Sequence, residues 1–139
     1  MSPVLVTGGA GFIGSNLAAR LLNDGEDVVV FDDLSRPGVE DNLRWLTGRF
    51  GDRVRHLDAD IRDAAAVEAA VEGCSFVFHF AAQVAVTTSL QRPREDHGIN
   101  VTGTLNVLES IRGASRPPGL LFASTNKVYG ALPDSNVRQ

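Results

Sequence analysis

Apolar residues along this chain fall into short unbroken runs separated by stretches at helical spacing. Residues 3–7, PVLVT, form an apolar run ending in glycine, the pattern of a strand buried on both faces. Over residues 12–25, Ile13, Leu17, Leu21 and Leu22 recur at helical spacing, and Gly25 marks a stop. Residues 27–32, DVVVFD, predict a second strand. SRPGVE predicts a loop, and residues 39–50 a helix carrying Leu43, Trp45 and Leu46. A third, more alternating strand is expected over 53–60. Asp63 is placed to cap a helix that ends at Gly73. Residues 76–82, FVFHFAA, predict a fourth strand, followed by a polar loop, AAQVAVTTSLQRP. Residues 99–112 predict a helix with Val101, Leu105, Leu108 and Ile111 on one face. GASRPPG breaks it, and residues 120–124 make a fifth strand. The last nine residues, ALPDSNVRQ, show neither period and are expected to be a loop.

Strands that are apolar throughout need cover on both faces, so the alternation predicts an α/β fold with a parallel sheet between helical layers. Right-handed crossovers favour a doubly wound sheet in the order 3-2-1-4-5. No linker divides the chain, and one domain is expected over residues 1–139. Composition narrows this picture by exclusion. Net charge is −4 and same-sign runs reach only two residues, so no basic face suggests nucleic acid. Cys74 is the one cysteine, which excludes an internal disulfide and fits a reducing compartment. No segment approaches the ~18–20 apolar residues of a membrane span, and the N-terminus lacks the basic start of a signal peptide. A cytoplasmic protein that meets no membrane is expected.

The first candidate chemistry is TGGAGFIG, which sets Gly8, Gly11 and Gly14 three residues apart between the first strand and the first helix. Gly8 suits the sharp turn, Gly11 a place where backbone meets a pyrophosphate, and Gly14 close packing of helix on strand. The helix N-terminus then offers N–H groups to the anion. With strand, triplet, helix and second strand in order, this is the Rossmann-type dinucleotide fingerprint. Asp32 ends the second strand eighteen residues past Gly14, where a carboxylate accepts from ribose hydroxyls. Its charge and that of Asp33 disfavour a 2′-phosphate, which points to NAD over NADP, whereas Arg36 is the opposing signal.

Other polar residues carry weaker signals. Asp58, Asp60 and Asp63 invite a metal reading, but side chains alternate along a strand and Asp63 has a cap to make, so no metal site is expected. Asp60 and Ile61 fall at the carboxyl end of strand three. His79 is expected to be a satisfied core residue. Thr87, Thr88 and Ser89 either face a ligand or cap the next segment. Asn100 is either a helix N-cap or a bridge between neighbouring loops.

Taken together, TGGAGFIG, DIRD, HFAAQVAV, NVTGTLNVLE and STNKVYG resemble the extended short-chain dehydrogenase/reductase family of nucleotide-sugar epimerases and dehydratases, over nearly the whole chain to about Gly130. VFDDLSRPGVEDNLRWL and QVAVTTSLQRP are further similar to the branch that inverts C2 of CDP-linked dideoxyhexoses. The resemblance implies NAD as cofactor. Gly8, Gly11, Phe12 and Ile13 would line its pyrophosphate, and Asp32 would hold the adenosine ribose, with Asp33, Ser35 and Arg36 beside it. Asp60 and Ile61 would meet adenine. Phe80, Ala81, Ala82 and Gln83 would pass under the nicotinamide half, with Asn100 and Ser124 nearby. Thr125 matches the family's catalytic Ser/Thr that bonds the reacting sugar hydroxyl, while Thr87, Thr88 and Lys127 would face the sugar. The implied reaction is transient oxidation of a sugar carbon, rotation of the ketone, and hydride return to its other face. A homo-oligomer joined through residues 99–112 is also implied.

The family's base is the tyrosine of a Tyr-x-x-x-Lys pair, in which the ammonium favours the phenolate. Tyr129 is followed four residues on by Pro133, so it does not form that pair. The expectation is an NAD-binding domain without the later strands and sugar-binding domain, inactive alone. The dehydratase branch carries Asp-Glu after the threonine, whereas this chain has Asn126 and Lys127, which disfavours dehydration. A 4-epimerase stays open, as does, in a different class, a dinucleotide-binding module with no chemistry.

Overall fold

The computed structural model describes residues 2–125. Strands β1 (Val4–Thr7), β2 (Val28–Phe31), β3 (Val54–Leu57), β4 (Phe76–His79) and β5 (Gly119–Phe122) form one parallel sheet in the order β3-β2-β1-β4-β5. This is the order expected from the alternation of runs. In the register, Val6 lies between Val30 and Phe78. All four residues of β1 and of β2 are buried, which explains their unbroken apolar runs: neither face meets water.

Helices α1 (Phe12–Asn23) and α2 (Val39–Phe50) cover one face, where Leu22 and Leu46 pack with Val4, Val6, Val28 and Val30. Helices α3 (Ala64–Val71) and α6 (Gly103–Gly113) cover the other, where Val67, Val71 and Val107 meet Leu5, Val29, Phe31 and Val77. Each fully buried leucine or valine contributes roughly 1.5–3 kcal/mol by leaving water. Asp63 caps α3 as expected, its Oδ1 accepting from the N–H groups of Ala65 and Ala66 at 3.1 Å each. Arg53 clamps the α1–β2 turn, donating to the carbonyls of Leu22 (3.0 Å) and Glu26 (2.6 Å).

Three expectations are corrected. The third and fourth strands stop at Leu57 and His79, short of Asp60 and Ala82. A parallel ladder lasts only while its neighbour runs alongside: β1, beside β4, ends at Thr7 before the glycine turn, and β2, beside β3, ends at Phe31. Asp60 and Ile61 consequently lie in the loop beyond β3, with Ile61 buried. The polar stretch after β4 is largely helical: α4 (Val86–Gln91), α5 (Pro93–His97) and a π-helical turn, Gly98–Thr102, leading into α6. Pro93 separates α4 from α5, since it has no N–H for α4's ladder yet suits a first helical position. Finally, Thr87, Thr88 and Ser89 lie within α4, whose N-cap is Ala85, and cap nothing.

The apolar stripe of the last helix points outward. Val101, Leu105 and Leu108 are about half exposed, while Gly103 and Val107 form the buried side of α6. A Cβ on Gly103 would come within 2.7 Å of the Ile61 side chain, so the glycine lets α6 settle onto the β3–α3 loop.

Candidate functional site

A cleft of about 660 Å³ opens at the carboxyl edge of the sheet, between the loops leaving β1, β2, β3 and β4. The glycine turn forms one wall. Gly8 has φ +66°, a left-handed conformation, and a Cβ there would lie 2.8 Å from the Ala81 nitrogen. A Cβ on Gly14 would overlap the Gly8 carbonyl oxygen and come within 2.7 Å of Gly9 Cα, so α1 reaches the turn only because residue 14 is glycine. Gly11 is the N-cap of helix α1, which has no side-chain cap and no acidic residue in its first turn. No side chain of the helix itself therefore competes for its leading N–H groups at the positive end of its dipole.

Asp32 stands across from that helix start. Its Oδ2 accepts from Ala10 N–H and its Oδ1 from Leu34 N–H, both at 3.0 Å. The carboxylate thus ties the glycine turn to the loop after β2 and keeps lone pairs for a ligand. It also holds Leu34 at φ +52°, a backbone region that costs a non-glycine residue roughly 1–2 kcal/mol. Two further groups brace this wall: His56 Nε2 lies 2.9 Å from the Asp32 carbonyl, and Asn42 Nδ2 donates to the Ala10 carbonyl at 2.8 Å. Asp33 Oδ1 accepts from Ser35 N–H at 3.0 Å, and Arg36 lies exposed on the rim.

Asp60 receives the backbone N–H of Arg62 at 2.8 Å and its guanidinium through both Nε and Nη2. The side-chain hydrogen bonds of Arg62 hold its carboxyl below the usual carboxylate range. Asp60 and Asp63 are each engaged separately, and among the described residues no three His, Cys, Asp or Glu side chains group to hold a metal.

The opposite wall is Phe80, Ala81, Ala82 and Gln83. Asn100 sits in the π-helical turn and bridges loops: its Oδ1 accepts from Gln83 N–H (2.9 Å), and its Nδ2 donates to the Gln83 carbonyl (3.0 Å) and to Asp96 Oδ1 (3.2 Å). The bridge alternative for Asn100 is the one present, and the N-cap is not. His79 is buried, with Nδ1 2.7 Å from Thr7 Oγ1 and its ring stacked on Phe122 at 5.7 Å. Burial pushes its pKa down to about 4, so it is neutral at pH 7.

The cleft brings together Gly8, Gly11, Phe12, Ile13 and Gly14 with Asp32, Asp33, Ser35 and Arg36. Asp60, Ile61, the 80–83 segment and Thr88 also line it, as expected from the sequence. Asn100, Ser124, Thr125 and Thr87 do not line it, and Lys127 lies outside the described residues. Nine lining residues were not expected: Phe31, Pro37, Val39 and Ala59 on the β2 and β3 side, and Val84, Ala85, Arg92, Glu95 and Ile99 beyond β4. Arg92 and Glu95 form an ion pair at 2.9 Å. Their three-residue spacing around Pro93 was the available signal for a helical turn there.

Three comparisons bear on this cleft. The family model described as GDP-mannose 4,6 dehydratase matches residues 5–139. A CDP-paratose 2-epimerase from Salmonella typhi is 46% identical over 136 residues, covering 93% of this chain and 38% of that protein. Among solved structures, a UDP-glucose 4-epimerase from Stenotrophomonas maltophila, with bound NAD and formylated UDP-arabinopyranose, superposes with a TM-score of 0.86 at 31% identity. It is matched over 99% of this chain and 41% of its own. The UDP-glucose 4-epimerase of Thermus thermophilus, in complex with NAD, gives a TM-score of 0.78 at 37% identity, over 99% of this chain and 42% of that one. The chain thus spans about two fifths of the length of these relatives.

Proposed function

This chain belongs to the GDP-mannose 4,6 dehydratase family, and from that membership we propose that it supplies the dinucleotide-binding part of an NAD-dependent nucleotide-sugar epimerase. One observation carries the reading. An uncapped helix start and a backbone-pinned carboxylate, Asp32, face one cleft across a turn with no room for side chains at Gly8 and Gly14. That arrangement suits a pyrophosphate and a ribose. The α1 N–H groups would hold the phosphate oxygens and Asp32 the ribose hydroxyls. Asp60, kept ionised by Arg62, would accept from the adenine amine beside Ile61. Phe80, Ala81, Ala82 and Gln83 would floor the nicotinamide half. The two NAD-bound relatives support the choice of cofactor. NAD, when bound, supplies the transient oxidation and reduction of a sugar carbon.

Epimerisation is favoured over dehydration because Asn126 and Lys127 carry no carboxyl to protonate a leaving hydroxyl. The substrate we favour is a CDP-linked dideoxyhexose inverted at C2, on the 46% identity to CDP-paratose 2-epimerase, with Thr125 against the reacting hydroxyl and Thr88 toward the sugar. A UDP-sugar 4-epimerase is the second reading, favoured by the superposition on the Stenotrophomonas enzyme. We place a second copy of the chain on the exposed Val101, Leu105 and Leu108 stripe.

Calorimetry with NAD tests the cofactor. Binding that is lost in Asp32→Ala and in Gly11→Val supports the reading, and a wild-type chain neither bound nor stabilised by NAD rejects it. CDP-paratose turnover by these 139 residues is expected to be nil, because Tyr129 has proline at the position of the paired lysine. Clear conversion would require a base outside that pair. Saturation-transfer NMR of the NAD-loaded chain with CDP-paratose and UDP-glucose separates the two substrates.

A further inference from the structure

Around His79 the hydrogen bonds have only one consistent direction. Thr7 Oγ1 accepts from the backbone N–H of Ala81 at 3.2 Å and from that of Phe80 at 3.2 Å, the latter shared with the Thr7 carbonyl at 3.1 Å. Both of these neighbours are donors, so the hydroxyl proton points to His79 Nδ1, 2.7 Å away. A neutral imidazole that accepts at Nδ1 carries its proton on Nε2, which lies 3.0 Å from Thr104 Oγ1. The Thr104 hydroxyl in turn donates to the Asn100 carbonyl at 2.7 Å. Asn100 closes the chain by holding both the N–H and the carbonyl of Gln83. Reversing the chain would point a third N–H at Thr7 Oγ1 and leave the hydroxyl's own proton without an acceptor.

We infer that His79, as its Nε2–H tautomer, is a positioning residue for the cofactor floor, joining Thr7 beneath Phe80–Ala81 to Thr104 and Asn100 beneath Gln83. It touches neither cofactor nor substrate and acts through these partners. The inference rests on the proposed dinucleotide site for its functional consequence, although the hydrogen-bond order stands without ligand. A π-helical turn, Gly98–Thr102, is what brings the Asn100 side chain under Gln83 while its carbonyl still faces Thr104. Because the links are in series, a break at Thr104 loosens the Gln83 end and leaves Thr7 holding the Phe80 end.

Three measurements on the 139-residue chain test this. In ¹⁵N NMR of the apo protein, His79 should show a protonated Nε2 and a bare Nδ1. Thr104→Val should speed hydrogen exchange at Gln83 N–H at least ~10-fold while sparing Ala81 N–H, and Thr104→Ser should restore protection. An Nδ1–H tautomer, or Gln83 exchange unchanged in Thr104→Val, overturns the inference. In NAD titrations, Thr104→Val should raise Kd about five- to tenfold, the scale of one buried hydrogen bond, and Thr104→Ser should restore it. Equal NAD affinity in Thr104→Val and wild type overturns the functional part. Failure of the wild type itself to bind NAD rejects the proposed cofactor site instead, and leaves the exchange and tautomer results to decide the hydrogen-bond order.

Discussion

The two walls of the cleft are built on different principles. The wall at the glycine turn is held by backbone: Gly8 and Gly14 admit no side chain, and Asp32 closes the gap by accepting two main-chain N–H groups. The wall at Phe80–Gln83 is held by side chains, Thr7, His79, Thr104 and Asn100, linked in series. A backbone-held wall depends on the absence of atoms and fails by steric clash. A wall held in series depends on polar atoms with fixed protonation and fails by titration or by loss of one hydroxyl. The two should therefore respond to different perturbations.

The largest effect is expected at the first wall. Gly14→Val places carbon atoms where the Gly8 carbonyl oxygen and Gly9 already are, and neither is a flexible side-chain end. The substitution should destabilise the chain by more than ~3 kcal/mol, which urea unfolding measures. A loss under about 1 kcal/mol would show that α1 can withdraw from the turn.

Acid should act on the second wall. His79 has its pKa lowered to about 4 by burial, against about 6.5 when exposed. The unfolded chain therefore binds a proton that the folded chain refuses, so the contribution of His79 is full above pH 6.5 and is lost as pH falls toward 4. The loss should approach about 3 kcal/mol near pH 4. His79→Gln, compared with wild type from about pH 4 to pH 7, should flatten that part of the stability profile. An unchanged slope would mean that His79 titrates normally.

A milder perturbation sharpens the contrast. Asn42 braces the glycine turn from α2 through one hydrogen bond to the Ala10 carbonyl. Asn42→Leu removes the donor without adding atoms to the turn. It should cost about 1 kcal/mol and weaken NAD severalfold, with little effect on Gln83 hydrogen exchange. A matching change at Gln83 would show that the walls are not independent.

The walls also differ in how far the sequence reveals them. Glycine spacing, the apolar runs of β1 and β2 and the carboxylate at Asp32 are local patterns, and each forces its conformation almost regardless of context. Sheet order follows from them because crossover handedness leaves few alternatives. The hydroxyl-imidazole chain joins residues 72 and 25 positions apart, with no periodicity to announce it. Taken singly, its members are a threonine at the end of the first strand, a core histidine and a threonine within the helix predicted over 99–112. The α4–α5 segment escaped for another reason. Its helices are short, Val86 and Leu90 face solvent, and an amphipathic pattern cannot mark a helix that buries no face.

The smallest stability effect concerns a surface outside both walls. Leu105 is 53% exposed, and the same helix buries Val107 completely, so the two positions separate assembly from folding on one element. Val107→Ala should cost about 1–3 kcal/mol in any state of assembly, by opening space in the core. Leu105→Gln removes no core contact and should change monomer stability by less than ~0.5 kcal/mol. If a second copy covers this stripe, light scattering will show a dimer in wild type and in dilute Val107→Ala, and a monomer in Leu105→Gln. A wild type that is monomeric at high concentration would leave the stripe without the occupant proposed for it. NAD affinity should be the same in Leu105→Gln and wild type, since Leu105 lines neither wall of the cleft.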